Sequence, residues 1–172
     1  MAVALLSHIL HPHPQVPSKI ELNEPFLGAV LVSPWLNFAT DFPNAMAKEK
    51  TDYVSATVGK RWSEAFLGSS PKDNYNQPCM AEPSWFDGLE SIVKDVLIEA
   101  GGGEMLIDGI NEMAETLKRA HKNVMYLVTV SRLTSEAMWV ELMKCSAECW
   151  SRGVYYGGQP WLQDQGRRIR CH

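Results

Sequence analysis

The stretch VKDVLIEAGGGEMLIDGINEMAETLKRA, residues 93–120, decides the fold class of this chain. It begins with Val93 to Ile98 (VKDVLI), which is a candidate strand. Three glycines follow, and then a predicted helix from Glu104 to Ala120. Its apolar residues recur at helical spacing: Ile107, Ile110, Ala114 and Leu117. A strand, a glycine turn and a helix in this order are typical of an α/β fold.

Two further candidate strands lie on either side of this unit. GAVLVS (residues 28–33) is a continuous apolar run without alternation, which predicts a strand buried on both faces, and VMYLVTV (residues 124–130) predicts another strand. Strands of this kind, separated by helices, favour a parallel sheet that is covered by helices. The sequence therefore predicts an α/β fold of about three parallel strands, near residues 28–33, 93–98 and 124–130.

Three further helices are predicted. Met1 to Leu10 is apolar nearly all round and ends before Pro12, because proline cannot continue a helix. Residues 55–66 and residues 132–149 each carry an apolar stripe at helical spacing. Residues 69–87, by contrast, show little regular pattern and contain several prolines, so we expect a long irregular connection there.

Composition excludes several classes of protein. The 172 residues carry 16 Lys+Arg against 20 Asp+Glu, a net charge of −4, which excludes a strongly basic nucleic-acid binder. The longest apolar run is far too short to span a membrane. No secretory signal is recognisable at the N-terminus, so we expect a soluble, cytoplasmic protein.

The character of the sequence changes near residue 130. Residues 131–172 carry 6 basic and 4 acidic side chains, whereas the preceding part carries 10 and 16. Three of the four cysteines lie in this last part. We therefore expect two regions, residues 1–130 and a divergent helical or irregular tail over residues 131–172.

No cofactor or metal site is predicted. The triple glycine lacks the G-x-G-x-x-G spacing of a dinucleotide loop, and the P-loop and zinc-protease motifs are absent. Cys145 and Cys149 lie four residues apart and would share a helix face, but two half-buried helix cysteines are the simpler interpretation.

Glu104 has the most suggestive position of any polar residue. It follows a strand and a glycine turn at the carboxyl end of the predicted parallel sheet, where open α/β folds place their chemistry. The alternative is a carboxylate in the first turn of a helix, stabilised by the helix dipole. The spacing of residues in the sequence alone favours the second interpretation, a structural carboxylate at the start of the helix.

Several long segments resemble a known family. LNEPFLGAVLVSPWLNF (residues 22–38), RWSEAFLGSSPKDNYNQP (61–78) and EPSWFDGLESIVKDVLI (82–98) resemble the C-terminal half of α/β-hydrolases, in particular fungal esterases and lipases of the hormone-sensitive-lipase type. GGGEMLIDGI (101–110) is similar to the segment that carries the acid of the Ser-His-acid triad. The resemblance implies that Glu104 occupies the position of the triad acid and that Asp108 is a supporting carboxylate.

The same resemblance indicates what these 172 residues lack. They contain neither a Gly-x-Ser-x-Gly nucleophile motif nor a His-Gly-Gly-Gly oxyanion loop, and Thr134 falls on the position of the triad histidine. We therefore expect a truncated member of the esterase family that is not catalytically competent alone. A small acyl ester would be a substrate only if a complete site were supplied. The resemblance makes a role in fungal secondary metabolism plausible.

A different class of function stays open. Three strands are few for a parallel sheet and leave an apolar edge, which is a template for pairing with another chain. The alternative is a non-catalytic binding or regulatory module, with a protein partner or a second copy at this exposed sheet edge. No nucleic acid is expected as a partner.

Overall fold

Three parallel strands form the sheet in a computed structural model that describes residues 1–16, 18–39, 47–48, 52 and 54–129. β1 (Phe26–Val32), β2 (Val93–Gly101) and β3 (Val124–Thr129) lie side by side in chain order, with β2 in the middle. Ala29 is in register with Val96, and Val96 with Val124. The predicted α/β class and its three parallel strands are confirmed.

The helices flank this sheet. α1 (Ala2–Leu10) and α2 (Ala56–Leu67) agree with the predicted segments to within one residue at each end. α3 (Ile107–Ala120) starts three residues later than predicted. Glu104 therefore lies just before the helix and not in its first turn, so the predicted start of the helix at Glu104 was wrong.

The irregular connection between α2 and β2 contains three short 3-10 helices, Pro78–Met80, Pro83–Phe86 and Leu89–Ser91. The second one is tied to α1 by polar contacts. The Nε2 atom of His11 lies 2.8 Å from the carbonyl oxygen of Trp85, and the indole N–H of Trp85 donates to Ser7 Oγ at 3.2 Å. These contacts hold α1 against the rest of the unit.

The core lies around β2, α3 and the connection that precedes β2. Fully or nearly fully buried side chains come from all three of these parts: Phe86, Leu89, Val93, Val96, Ile98, Ile110, Met113, Ala114 and Leu117. These residues belong to a compact unit that spans Met1–Leu133. Most of strand β2 is therefore covered by packed apolar side chains, whereas Lys94 and Asp95 near its start are exposed.

Strand β1 differs from the prediction that its run is buried on both faces. Only Leu31 is buried in this strand, whereas the Leu27 and Val30 side chains are 69% and 59% exposed. The reason is that β1 pairs with β2 alone within the described part of the chain. An uninterrupted apolar run predicts a strand, but the coverage of the strand depends on what packs against it.

The predicted helix over residues 132–149 and the predicted tail over residues 131–172 lie outside the described residues. The same holds for Thr134, Cys145 and Cys149. Among the helices that the structure describes, none is long and apolar enough to cross a membrane.

Candidate functional site

The carboxyl ends of the three strands bring polar groups together at one edge of the sheet. Ser33 directly follows β1, Glu99 lies near the end of β2, and Glu104 lies in the turn between β2 and α3. Because parallel strands end at the same edge, side chains that are distant in sequence meet there. Ser33 and Glu104 are 71 residues apart, yet the Ser33 hydroxyl donates to Glu104 Oε1 at 2.6 Å.

Ser33 has an unusual backbone that aims its side chain. Its φ is +43°, in the left-handed region, which costs a residue other than glycine roughly 1–2 kcal/mol. Its N–H donates to the carbonyl oxygen of Glu99 at 2.8 Å, so β2 fixes its backbone while its hydroxyl is bonded to Glu104. We did not predict Ser33 from the sequence. The only local signal is a Ser-Pro pair at the end of a strand.

The turn that carries Glu104 is held from two sides. The Glu104 N–H donates to Gly101 O at 3.0 Å, which closes a tight turn at the end of β2. The next N–H, that of Met105, donates to Asp52 Oδ2 at 2.5 Å. Helix α3 begins two residues further on, at Ile107. Glu104 is thereby fixed on a turn rather than on a helix.

Lys48 and Gly102 complete the support of this turn. The ammonium group of Lys48 donates to the carbonyl oxygen of Gly102 at 2.5 Å. A Cβ atom at Gly102 would lie only 3.2 Å from Thr129 O, so the turn passes close to the end of β3. A glycine is favoured here by this close approach. Lys48, Asp52 and Gly102 were not predicted as site residues.

Asp108, the predicted supporting carboxylate, lies in the first turn of α3, four residues after Glu104. The next residue of that helix, Gly109, lies against the segment that follows β1. A Cβ atom at Gly109 would be 3.0 Å from Cβ of Asn37. The start of α3 is therefore packed tightly against the chain that leaves Ser33, and both predicted carboxylates lie in the same part of the molecule.

The negative charge of Glu104 acts on a further carboxyl group, that of Glu99 on β2. The Glu99 side chain is only 5% exposed, and the pKa of this carboxyl is raised, first by burial and second by the negative charge of Glu104. The pKa of Tyr126 on β3 is also raised by burial and by Glu104. Its hydroxyl donates to Asn111 Oδ1 on α3 at 2.6 Å. For both groups burial is the larger cause of the raised pKa and the negative charge of Glu104 is the smaller one.

An apolar cavity of about 550 Å³ lies beside this edge. Its walls come from the start of α1, the end of β1 and the following segment, and α2: among others Ala2, Val30, Val32, Trp35, Trp62 and Phe66. Val32 and Pro34, which flank Ser33 in sequence, both line it. The cavity is therefore open to an apolar group next to the Ser33–Glu104 pair.

Chemically, the site is an anchored carboxylate beside an apolar cavity. Within the described ranges, no three His, Cys, Asp or Glu side chains come together in a way that could hold a metal ion. A fixed carboxylate of this kind can orient and stabilise a cation such as an imidazolium. The described residues supply a fixed acceptor of this kind in Glu104.

Known structures resemble this fold. Neither the protein-family models nor the curated proteins give a match to the sequence. Among solved structures, the esterase LipW from Mycobacterium marinum is similar over 90% of this chain, with a TM-score of 0.61 and 14% identity. An esterase from the bacterial hormone-sensitive lipase family is similar over 73%, with a TM-score of 0.55 and 19% identity. The esterase EstE5 is similar over 72%, with a TM-score of 0.51 and 18% identity.

The chain spans less than half the length of these three structures: 46% of LipW, 38% of the hormone-sensitive-lipase-family esterase and 44% of EstE5. At these identities the likeness shows the fold. The three parallel strands and their flanking helices therefore have an α/β-hydrolase architecture.

Proposed function

We propose that this chain carries the acid part of a carboxylic-ester hydrolase of the hormone-sensitive-lipase type, corresponding to the C-terminal half of such an enzyme. Glu104 takes the position of the triad acid, and Asp108 supports it. The observation that carries the proposal is the Ser33–Glu104 hydrogen bond of 2.6 Å at the carboxyl edge of the sheet. The likeness of the fold to esterases supports it.

The role of the acid in a triad is to orient the histidine and to stabilise the imidazolium that forms during acyl transfer. This role needs a carboxylate whose position does not change. Ser33 holds the Glu104 side chain, while Lys48 and Asp52 hold the turn on which it stands. The apolar cavity next to Ser33 suits the acyl part of an ester.

We propose further that residues 1–172 alone do not turn over esters. A triad acid neither attacks the acyl carbon nor accepts its proton, and this sequence contains no Gly-x-Ser-x-Gly and no His-Gly-Gly-Gly motif. Loss of the nucleophile or of the histidine each removes many orders of magnitude in rate. The cytoplasmic location and the tie to fungal secondary metabolism stay predictions.

An ester assay tests this second proposal. The purified chain is incubated with short acyl nitrophenyl esters beside Glu104→Ala, and Glu82→Ala is the matched control at an exposed glutamate. We expect all three proteins to release nitrophenol at the same low rate. Turnover by the wild type well above that of Glu104→Ala, with Glu82→Ala unchanged, would show a competent site and would overturn the proposal.

The exposed edge of β1 favours one alternative, a binding module that pairs through this strand. Leu27 and Val30 are more than half exposed on a strand that pairs only with β2 in the described part of the chain. Light scattering after size-exclusion chromatography tests pairing with a second copy. If β1 pairs, the wild type is dimeric and Val30→Lys, which puts a charge on the edge, is monomeric. A monomeric wild type at high concentration contradicts pairing between copies.

A further inference from the structure

The apolar cavity beside Ser33 has aromatic rings in its wall. Trp35 and Phe38 come from the segment after β1, and Trp62 and Phe66 come from α2. The ring centres of Trp35 and Phe38 lie 5.5 Å apart with an angle of 88° between their planes, and those of Phe38 and Phe66 lie 5.8 Å apart at 65°. Trp35, Phe38 and Phe66 therefore form a continuous series of edge-to-face contacts, which we call the aromatic row.

Part of this ring surface faces water. The side chains of Trp62 and Phe66 are 54% and 64% exposed. An aromatic ring prefers an edge-to-face or offset aromatic partner, and such a pair is more favourable than its buried area alone accounts for. A further ring that packs on this wall would therefore gain from the removal of apolar surface from water and from the relative orientation of the rings.

The polar side chains of the wall already bond to the protein itself. Four of them donate to backbone carbonyl oxygens: Ser63 to Lys60 O at 2.9 Å, Tyr75 to His11 O at 2.8 Å, Asn76 to Pro71 O at 2.9 Å and Trp35 to Asn37 O at 2.9 Å. A donor that has a partner gains little by exchanging it for a polar group of a ligand. The indole of Trp62 is more than half exposed and can bond to water. The polar side chains of the wall therefore call for no polar ligand group.

No charged side chain is found among the described residues that line the cavity. Met1 also lines it, but this residue is fully exposed, so the charge of its amino group is hydrated. A carboxylate or an ammonium group that is placed against an apolar wall loses its own hydration and finds no partner there, which is costly. The cavity therefore selects against a charged group of a ligand.

The size and the place of the cavity suit a group of a small molecule. Its volume of about 550 Å³ lies within the usual range of small-molecule sites, about 300–1,000 Å³. Val32 and Pro34, the two neighbours of Ser33 in sequence, line it as well. A ring on this wall would therefore lie beside the hydrogen-bonded pair of Ser33 and Glu104.

We propose that this cavity binds the aryl group of an uncharged ligand, with the ring packed on the aromatic row. Under the function proposed above, the aryl group belongs to the acyl part of the ester, so that esters with an aryl group in the acyl part are the substrate class. This assignment to a substrate rests on the proposed function. The binding of the aryl group does not, because it depends only on the wall of the cavity.

The first experiment measures the effect of charge by calorimetric titration of the whole chain. The probes are phenylpropanol, with its hydroxyl at the end of the chain, and phenylpropanoate, at about pH 7, where the carboxyl group is ionised. We expect the alcohol to saturate a single site with a Kd of about 1 mM or lower. We expect the carboxylate to bind roughly 10-fold more weakly or less, because its charge is desolvated without a partner. No saturable binding of the alcohol, or equal binding of the carboxylate, would overturn the proposal.

The second experiment tests the aromatic row with Phe66→Leu, which removes one ring but keeps an apolar side chain. Cyclohexylpropanol is the saturated counterpart of the first probe. We expect the ratio of the affinities for the phenyl and the cyclohexyl probe to fall about 2- to 10-fold in Phe66→Leu, because a ring pair is lost. Phe26→Leu is the matched control, since Phe26 is 40% exposed on β1 and does not line the cavity. A ratio that is the same in Phe66→Leu as in the wild type contradicts a role of the row.

NMR signals of the indole N–H groups locate the ligand. We expect phenylpropanol to shift the signals of Trp35 and Trp62, which line the cavity, and to leave that of Trp85, which bonds to Ser7 Oγ elsewhere. A shift of Trp85 without the other two would place the ligand outside the cavity. If a second copy of the chain fills the cavity instead, the apparent affinity for the probe falls as the protein concentration is raised. Either result would refute the proposal.

The failure of this proposal and that of the proposed function can be told apart. None of the probes is an ester, so their binding is decided even if Glu104 is not a triad acid. Conversely, the ester assay with Glu104→Ala does not depend on which group the cavity binds. If Phe66→Leu does not fold, the comparison of the alcohol with the carboxylate in the wild type still decides whether the cavity binds an uncharged aryl ligand.

Discussion

Helix α3 buries six residues along its length, whereas α2, nearly as long, buries only Gly59 and Ser63. Both helices were predicted from apolar residues at helical spacing. In α3 these residues enter the core with the segment Pro83–Phe86 and with β2. In α2 the large apolar side chains, Trp62 and Phe66, are 54% and 64% exposed.

The difference shows that an apolar stripe predicts a helix but does not predict whether other elements pack against the stripe and bury it. Burial of apolar surface stabilises the folded state, and α3 buries far more apolar surface than α2. The exposed residues of α2 line the apolar cavity beside Ser33. The less tightly packed helix therefore lines the cavity beside the candidate site, as is usual for elements that bind ligands.

The largest expected effect is a loss of stability when a phenylalanine is truncated. It is compared between the α3 side and the α2 side of the molecule. Phe86 is fully buried against the α3 side, whereas Phe66 on α2 is 64% exposed. We expect Phe86→Ala to lower the free energy of unfolding by about 3–5 kcal/mol, because it removes a buried ring and leaves a cavity. Phe66→Ala should cost no more than about 0.5 kcal/mol. Urea denaturation with linear extrapolation measures both.

Similar losses in the two variants would contradict the comparison, because they would mean that Phe66 is as well covered as Phe86. If Phe86→Ala is too unstable to fold, the milder Phe86→Leu keeps the test open. We expect this variant still to lose more stability than Phe66→Ala, because a change of side-chain shape lowers stability in a packed core but hardly at the surface.

The sequence was sufficient for the sheet and the helices because both depend on local pattern. β2 was predicted from the candidate strand at residues 93–98, and α3 from the helical spacing of apolar residues after residue 104. The exposure of β1 did not follow, because it depends on which strands lie beside it. Six residues of β2 are buried, whereas in β1 only Leu31 is.

The candidate site was predicted in part. The position of Glu104 after a strand and its resemblance to a triad acid both identified this residue. Its anchors could not be predicted, because the Ser33–Glu104 bond spans 71 residues and the Met105–Asp52 bond spans 53. No local pattern indicates either of these bonds. For Glu99, too, the sequence indicates only a strand residue. Its burial and the effect of the Glu104 charge on it are known only from the structure.

The smallest expected effect concerns how each helix is held at its N-terminus. Ser55 caps α2, with its hydroxyl oxygen accepting from the N–H of Val58 at 3.3 Å, whereas Leu106 precedes α3 and provides no side-chain cap. Because α2 has little buried area, we expect it to rely on this cap. Ser55→Ala should weaken α2 locally by about 0.5–1 kcal/mol, at the low end for such caps because the bond is long.

Amide hydrogen exchange measures this effect helix by helix. In Ser55→Ala we expect the amides of α2 to exchange about 2–5 times faster, and those of α3 to keep their wild-type rates, because α2 opens without the core. Ser91→Ala is the matched control, since it removes a hydroxyl that bonds to Gly88 O at an exposed turn remote in sequence from both helices. Equal acceleration in α2 and α3 would mean that the two helices open together, and that the sparse burial of α2 does not make it a separate unit.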